Sequence, residues 1–302
     1  MQFKGAFSAL VTPFRNGEID EEAFRAFIEW QIEQGIDGLV PCGTTGESAT
    51  LTHAEHGRVI KICVDQVKGR VPVLAGSGSN NTLEAIELTR YAKEAGADGA
   101  LLITPYYNKP TPAGLVAHFK AIATEVSIPI VVYNVPGRTA LNVQPATLKA
   151  IKDAVPEVVG VKEATGNLKQ VSEMIELCGE DFCMLSGDDF TVLPLLALGG
   201  CGVISVVSNV MPAAMSGMCK AFAEGDIATA RKLHYHMAPL CRALFSETNP
   251  IPVKTAVSMM GMCTEEFRLP LVPMQPDTRA ALEKVMLESG VLNTEELAEA
   301  TA

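Results

Sequence analysis

Eight short β-rich runs separated by amphipathic stretches of helical length fill roughly the first 220 residues, and this alternation leaves few folds open. A parallel strand needs a long crossover to bring the chain back, so strand-then-helix repeated along a chain implies a parallel sheet. The runs lie at 7–11, 38–41, 73–76, 99–103, 130–133, 158–162, 182–186 and 202–205, with helical patterns such as 21–34, 54–68, 83–94, 115–124 and 168–178 between them. Three helix-to-strand junctions are alike: Gln34-Gly35-Ile36-Asp37-Gly38-Leu39, Ala95-Gly96-Ala97-Asp98-Gly99-Ala100 and Leu198-Gly199-Gly200-Cys201-Gly202-Val203. A glycine just past a helix can take the left-handed cap conformation that turns the chain into the next strand. Eight such units fit an α/β fold of the (β/α)8 TIM-barrel type. An open dinucleotide-binding sheet loses its main support, because no G-x-G-x-x-G follows the first strand.

After about residue 222 the strand signal stops, and 227–240, 252–260 and 278–287 read as helices. The expected organisation is a catalytic barrel over 1–222 and a C-terminal helical region over 223–302, whose last polar stretch, 293–302, has no role that can be derived from its residues.

A chain of 302 residues that is 48% hydrophobic can bury a large core. Its 24 Lys+Arg against 35 Asp+Glu give a net charge of −11 without a basic run, which argues against nucleic acid or an anionic membrane as partner. No apolar stretch approaches the roughly 20 residues of a membrane span. The opening Met1-Gln2-Phe3-Lys4-Gly5 does not follow a signal-peptide pattern, so a cytoplasmic location is expected. The eight cysteines are scattered without a C-x-x-C, and the five histidines lack zinc-ligand spacing, so no metal is expected.

In a barrel of this kind the residues just after each strand form the active site. Val158-Val159-Gly160-Val161-Lys162-Glu163 closes an apolar run with a lysine. A lysine there ordinarily lifts its ammonium into solvent. Held away from water, it presents free amine for attack on a carbonyl. The other strand ends carry Gly43-Thr44-Thr45-Gly46-Glu47-Ser48, whose amides and hydroxyls suit a small carboxylate, then Thr104-Pro105-Tyr106-Tyr107-Asn108, Tyr133-Asn134-Val135-Pro136-Gly137-Arg138-Thr139 and Ser186-Gly187-Asp188-Asp189. Taken singly these are a common turn, tyrosines that pack and an arginine in solvent. Their occurrence at successive strand ends is harder to assign to chance.

These segments, with Ala9-Leu10-Val11-Thr12-Pro13-Phe14, Gly202-Val203-Ile204-Ser205 and Asn249-Pro250-Ile251-Pro252-Val253-Lys254, resemble the pyruvate-dependent Schiff-base lyases of the dihydrodipicolinate synthase and N-acetylneuraminate lyase superfamily. The resemblance covers nearly the whole chain and is greatest to the synthase branch, of which the arginine in Pro136-Gly137-Arg138-Thr139 is characteristic.

The resemblance implies that Lys162 condenses with the ketone of pyruvate, with no cofactor beyond that covalent Schiff base. It implies that Tyr133, Thr44 and Tyr107 form a hydroxyl relay for protons. Thr45 would hold the pyruvate carboxylate, and main-chain groups at Gly187 and Ile204 would line the pocket. Arg138 would receive the carboxylate of L-aspartate 4-semialdehyde, a guanidinium fork matching a carboxylate. The product, a hydroxylated tetrahydrodipicolinate, leads to diaminopimelate and lysine.

Tyr107 would reach into a neighbouring subunit of a homotetramer built as a dimer of dimers. Ser48, Ala49, His53, His56, Asn80, Glu84 and Tyr106 match the positions at which related synthases bind the inhibitor L-lysine. His53 and Glu84 also fit simple exposed helix starts. Two other readings stay open: a sister lyase acting on another aldehyde, and a barrel that binds a small molecule without catalysis.

Overall fold

Eight parallel strands curl into a nearly closed barrel in the computed structural model, which describes residues 3–292. They are β1 (Gly5–Ala9), β2 (Gly38–Val40), β3 (Leu74–Gly76), β4 (Gly99–Ile103), β5 (Ile130–Asn134), β6 (Val158–Glu163), β7 (Cys183–Ser186) and β8 (Gly202–Ser205). β1 pairs with both β8 and β2, and the Leu39–Val73 bridge brings β2 to β3. Bonds from Leu39 N to Pro72 O (3.0 Å) and Gly76 N to Pro41 O (2.9 Å) span that seam.

Helices return the chain after each strand, and five of them start at capping side chains. The return helices are α1 (Glu21–Glu33), α2 (His53–Val67), α3 (Thr82–Ala95), α4 (Pro112–Glu125), α5 (Pro145–Ala154), α6 (Leu168–Cys178), α7 (Val192–Ala197) and α8 (Pro212–Ala223). Thr52 and Glu55 form a reciprocal capping box on α2, and Asp20, Asn81, Thr111 and Asn167 cap α1, α3, α4 and α6. At the other ends Gly35, Gly96 and Gly199 sit at φ 80°, 92° and 106°, the left-handed turn expected at each repeated junction.

The first strand lies earlier than the 7–11 expected. Leu10 N still bonds Val40 O (3.1 Å), but Val11 N has turned to the Asn209 side chain (3.1 Å), which takes it out of the ladder. A two-stranded ribbon, Phe14–Arg15 with Glu18–Ile19, was not anticipated because its strands are two residues each.

Inside the barrel Phe3, Phe7, Val40, Leu74, Leu101, Val131, Tyr133, Leu185 and Ile204 form one apolar cluster. Room for the phenylalanine rings comes from missing side chains, since a Cβ on Gly38 would lie 2.2 Å from the Phe7 ring. Three further helices follow: α9 (Ile227–Leu244), α10 (Ile251–Met259) and α11 (Pro276–Glu288). Their Met237, Leu240, Val253 and Leu282 share a core with Phe14, Val207 and Val210. The stretch 293–302 lies outside the described residues. No described helix is long and apolar enough to cross a membrane.

Candidate active site

Lys162 and Tyr133 face each other across the β5–β6 ladder and project into the barrel. Lys162 is 6% exposed, and its Nζ lies 4.2 Å from the centre of the Tyr133 ring. The stem has room because residue 187 lacks a side chain: a Cβ there would come within 3.0 Å of Lys162 Cγ and Cε and 2.7 Å of Ala164 Cβ. Gly187 N donates to Glu163 O (2.7 Å), which fixes that close approach.

The next residue along β6, Glu163, points the other way. It is 1% exposed and accepts from Asn134 Nδ2 (2.8 Å) and Thr165 N (2.8 Å), while Asn134 also donates to Asn142 (2.9 Å). This amide network pins the strand end that carries Lys162. Nothing in the residue pattern marked it, because its members, which include Gln170 donating to Asn142 Oδ1 (2.9 Å), are scattered from 134 to 170.

The loop after β2 is a tight turn. The amides of Gly46, Glu47 and Ser48 bond back to the carbonyls of Gly43 and Thr44 (3.1 to 3.4 Å). Among the described residues the amides of Gly43, Thr44 and Thr45 have no such partner, and N–H groups of this kind can meet a carboxylate. Asn249 Nδ2 donates to Thr45 Oγ1 (3.0 Å), which leaves the threonine hydroxyl its proton to give. Asn249 O accepts from Arg138 Nη2 (2.9 Å), so Asn249, two residues before α10, holds both. Sequence reasoning passed over Asn249; its only signal was its place in a matched segment. Ile204 is buried on β8 beside Phe7.

A cavity of about 370 Å³ opens at these strand ends, with Thr44, Tyr133 and Arg138 in its wall. It continues to Ser48, Ala49, His53, His56, Glu84 and Tyr106, the positions expected to form a second site. There Glu84 accepts from His53 Nε2 (2.7 Å) and from Ser79 Oγ, and the Ser79 hydroxyl is the larger reason its carboxyl lies below the ordinary range. Asn80 does not line the cavity but donates to Tyr106 O (3.2 Å).

Tyr107 stands apart from the other relay residues. It is 89% exposed, at φ 70°, and is not part of the cavity wall. Cys42, just before the loop, is buried, and burial pushes its thiol well above the usual range, away from a reactive thiolate.

Burial lowers both His56 and His118 to about 4 from an ordinary 6.5. An unfolded chain therefore binds more protons than the folded one between those values, and stability present above pH 6.5 is lost as pH falls towards 4. Thermal melts from pH 7 to pH 4 are expected to show a steadily falling midpoint. A flat midpoint would contradict the burial of these rings as neutral groups.

The Dihydrodipicolinate synthetase family profile matches residues 2–289. This chain belongs to that family. A relative from Nitratidesulfovibrio vulgaris strain Miyazaki F, named 4-hydroxy-tetrahydrodipicolinate synthase, is 71% identical over 292 residues, covering 97% of this chain and all of the relative. The dihydrodipicolinate synthase of Acinetobacter baumannii, solved in complex with pyruvate, superposes with a TM-score of 0.93 at 42% identity, covering 96% of this chain and 99% of that one. The synthase of Cyanidioschyzon merolae, solved with lysine bound, gives 0.93 at 39% identity over the same shares. As a member of the dihydrodipicolinate synthetase family the chain is an enzyme, a lyase on a TIM barrel.

Proposed function

We propose that the chain is a 4-hydroxy-tetrahydrodipicolinate synthase that condenses pyruvate with L-aspartate 4-semialdehyde. The observation that carries this reading is the buried Lys162 amine above the Tyr133 ring, with Gly187 leaving space for its stem. The amine attacks the pyruvate ketone, giving a carbinolamine that loses water to an imine. The imine loses a methyl proton and becomes an enamine, whose carbon attacks the aldehyde of the semialdehyde. The semialdehyde amine then displaces Lys162 from the imine carbon and closes the ring. One water is lost overall, and no metal or organic cofactor takes part, because the amine itself activates the carbonyl.

Tyr133 carries protons to and from the carbinolamine oxygen, with Thr44 and Tyr107 behind it. The Thr44 and Thr45 amides and the Thr45 hydroxyl hold the pyruvate carboxylate, main-chain groups at Gly187 and Ile204, outside the wall of the cavity of about 370 Å³, border the bound pyruvate, and Arg138 takes the carboxylate of the second substrate. A tyrosine left 89% exposed suits insertion into a neighbouring subunit, so the active unit is a dimer, doubled into a homotetramer. The helical region 223–302 supports the barrel 1–222 by holding Thr45 and Arg138 through Asn249. The setting is cytoplasmic.

Borohydride added with pyruvate is expected to fix a pyruvate adduct on Lys162, read by peptide mass. An unmodified Lys162 would contradict the reading. Gly187→Ala, by pushing on the lysine stem, is expected to slow adduct formation roughly 10- to 100-fold while the circular dichroism stays unchanged.

The second part of the cavity binds L-lysine as a feedback inhibitor. Its Glu84 carboxylate suits an ammonium, Ser48, Ala49, His53, His56 and Tyr106 surround the remainder, and Asn80, outside the wall, holds the Tyr106 carbonyl. A lysine titration is expected to slow the parent enzyme and to leave Glu84→Ala unaffected. Equal rates across the titration of the parent would end the idea.

A further inference from the structure

Glu47 closes the carboxylate-binding loop in a left-handed backbone conformation, φ 53°, that residues with a side chain avoid. Cys42, where the loop begins, is also left-handed at φ 56°. Local preference therefore does not favour this turn, and something tertiary must hold it. The Glu47 side chain meets Lys254 Nζ at 2.6 Å, and both side chains are fully shielded from water. Arg268 N donates to the other carboxylate oxygen (3.3 Å). The Lys254 ammonium also lies 4.0 Å from the centre of the Phe14 ring and 5.3 Å from that of Phe267.

Lys254 belongs to α10, which starts two residues after Asn249. One segment thus grips the loop twice: Asn249 at Thr45, and Lys254 at Glu47. Between those grips Glu47 N bonds Thr44 O (3.2 Å), so a shift of Glu47 is passed directly to Thr44.

We infer that the buried Glu47–Lys254 pair is a positioning device for substrate binding, holding the Thr44 and Thr45 amides and hydroxyls at the spacing a pyruvate carboxylate requires. This inference rests on the reading of that loop as the carboxylate site. Neither residue touches the substrate. Both act through the loop, whose shape depends on them. Burial disfavours the Lys254 ammonium and moves it below its ordinary range, with Glu47 opposing that shift, so the ion pair is retained against its own desolvation. A pair kept only for stability is often replaceable by neutral groups of similar volume, whereas a pair kept for geometry is not.

The test is the double variant Glu47→Gln with Lys254→Met, assayed beside the parent protein. Turnover of pyruvate and the semialdehyde by the parent first secures the functional reading, and its absence would overturn that reading rather than this one. If the pair positions the loop, the double variant raises the pyruvate KM roughly tenfold or more, with kcat at saturating pyruvate within about threefold. A pyruvate KM within about twofold of the parent overturns the inference, whatever happens to the melting temperature. Should the double variant not fold, Glu47→Gln alone decides by the same comparison, since it keeps the length of the side chain and removes its charge.

Discussion

Lys162→Ala is expected to reduce turnover by at least about a thousandfold, equivalent to roughly 4 kcal/mol of lost transition-state stabilisation, while the fold survives. The alanine removes the only group that enters a covalent intermediate in the proposed sequence. It leaves the carboxylate loop, Tyr133 and Arg138 in place. Because the stem lies against Gly187, its loss opens a small space at the barrel mouth and not in the packed interior around Phe3 and Phe7. The effect should fall on kcat and kcat/KM together, as expected when an interaction is made in the chemical step. Steady-state kinetics with a circular dichroism control is the measurement. A variant keeping more than about a tenth of parental kcat would show that another group supplies the amine.

Lys254→Met alone is expected to destabilise the protein by about 3 to 5 kcal/mol. Methionine fills most of the space of the lysine stem between Phe14 and Phe267, so little is lost in packing. What remains is Glu47, a carboxylate with no access to water that has lost its cation. Adding Glu47→Gln should restore most of the loss, because two neutral groups do not carry that penalty. Denaturant melts of the two single variants and the double variant give the coupling directly. Simple addition of the single effects would show that the pair does not act as a unit.

How much of this was legible from the residues follows from which interactions are local. The barrel could be read because strand runs, caps and the repeated glycine junctions are written in neighbouring residues. Gly35, Gly96 and Gly199 take the left-handed conformation that their positions after α1, α3 and α7 implied. Lys162 and Tyr133 were candidates because strand ends in a parallel barrel converge, and the structure places them facing each other.

The supports of the site were not legible. Glu47 meets Lys254 across 207 residues, Thr45 meets Asn249 across 204, and Arg138 meets the Asn249 carbonyl across 111. A single lysine inside a mostly apolar helix such as Ile251–Met259 gives no hint of its partner. Gly187 was expected to contribute main-chain contacts, yet its most evident feature is the absence of a side chain where the Lys162 stem passes. The exposure of Tyr107, and the left-handed turn at which it sits, are likewise not revealed by the paired tyrosines.

The most direct test of the central claim is pyruvate consumption by the purified protein, offered L-aspartate 4-semialdehyde, N-acetylmannosamine or glyoxylate in separate assays. Consumption with the semialdehyde alone is the expected result, with Arg138 selecting for its carboxylate in the place beside the enamine. Consumption with one of the other aldehydes, or with none of the three, would contradict the assignment of this site to 4-hydroxy-tetrahydrodipicolinate synthesis.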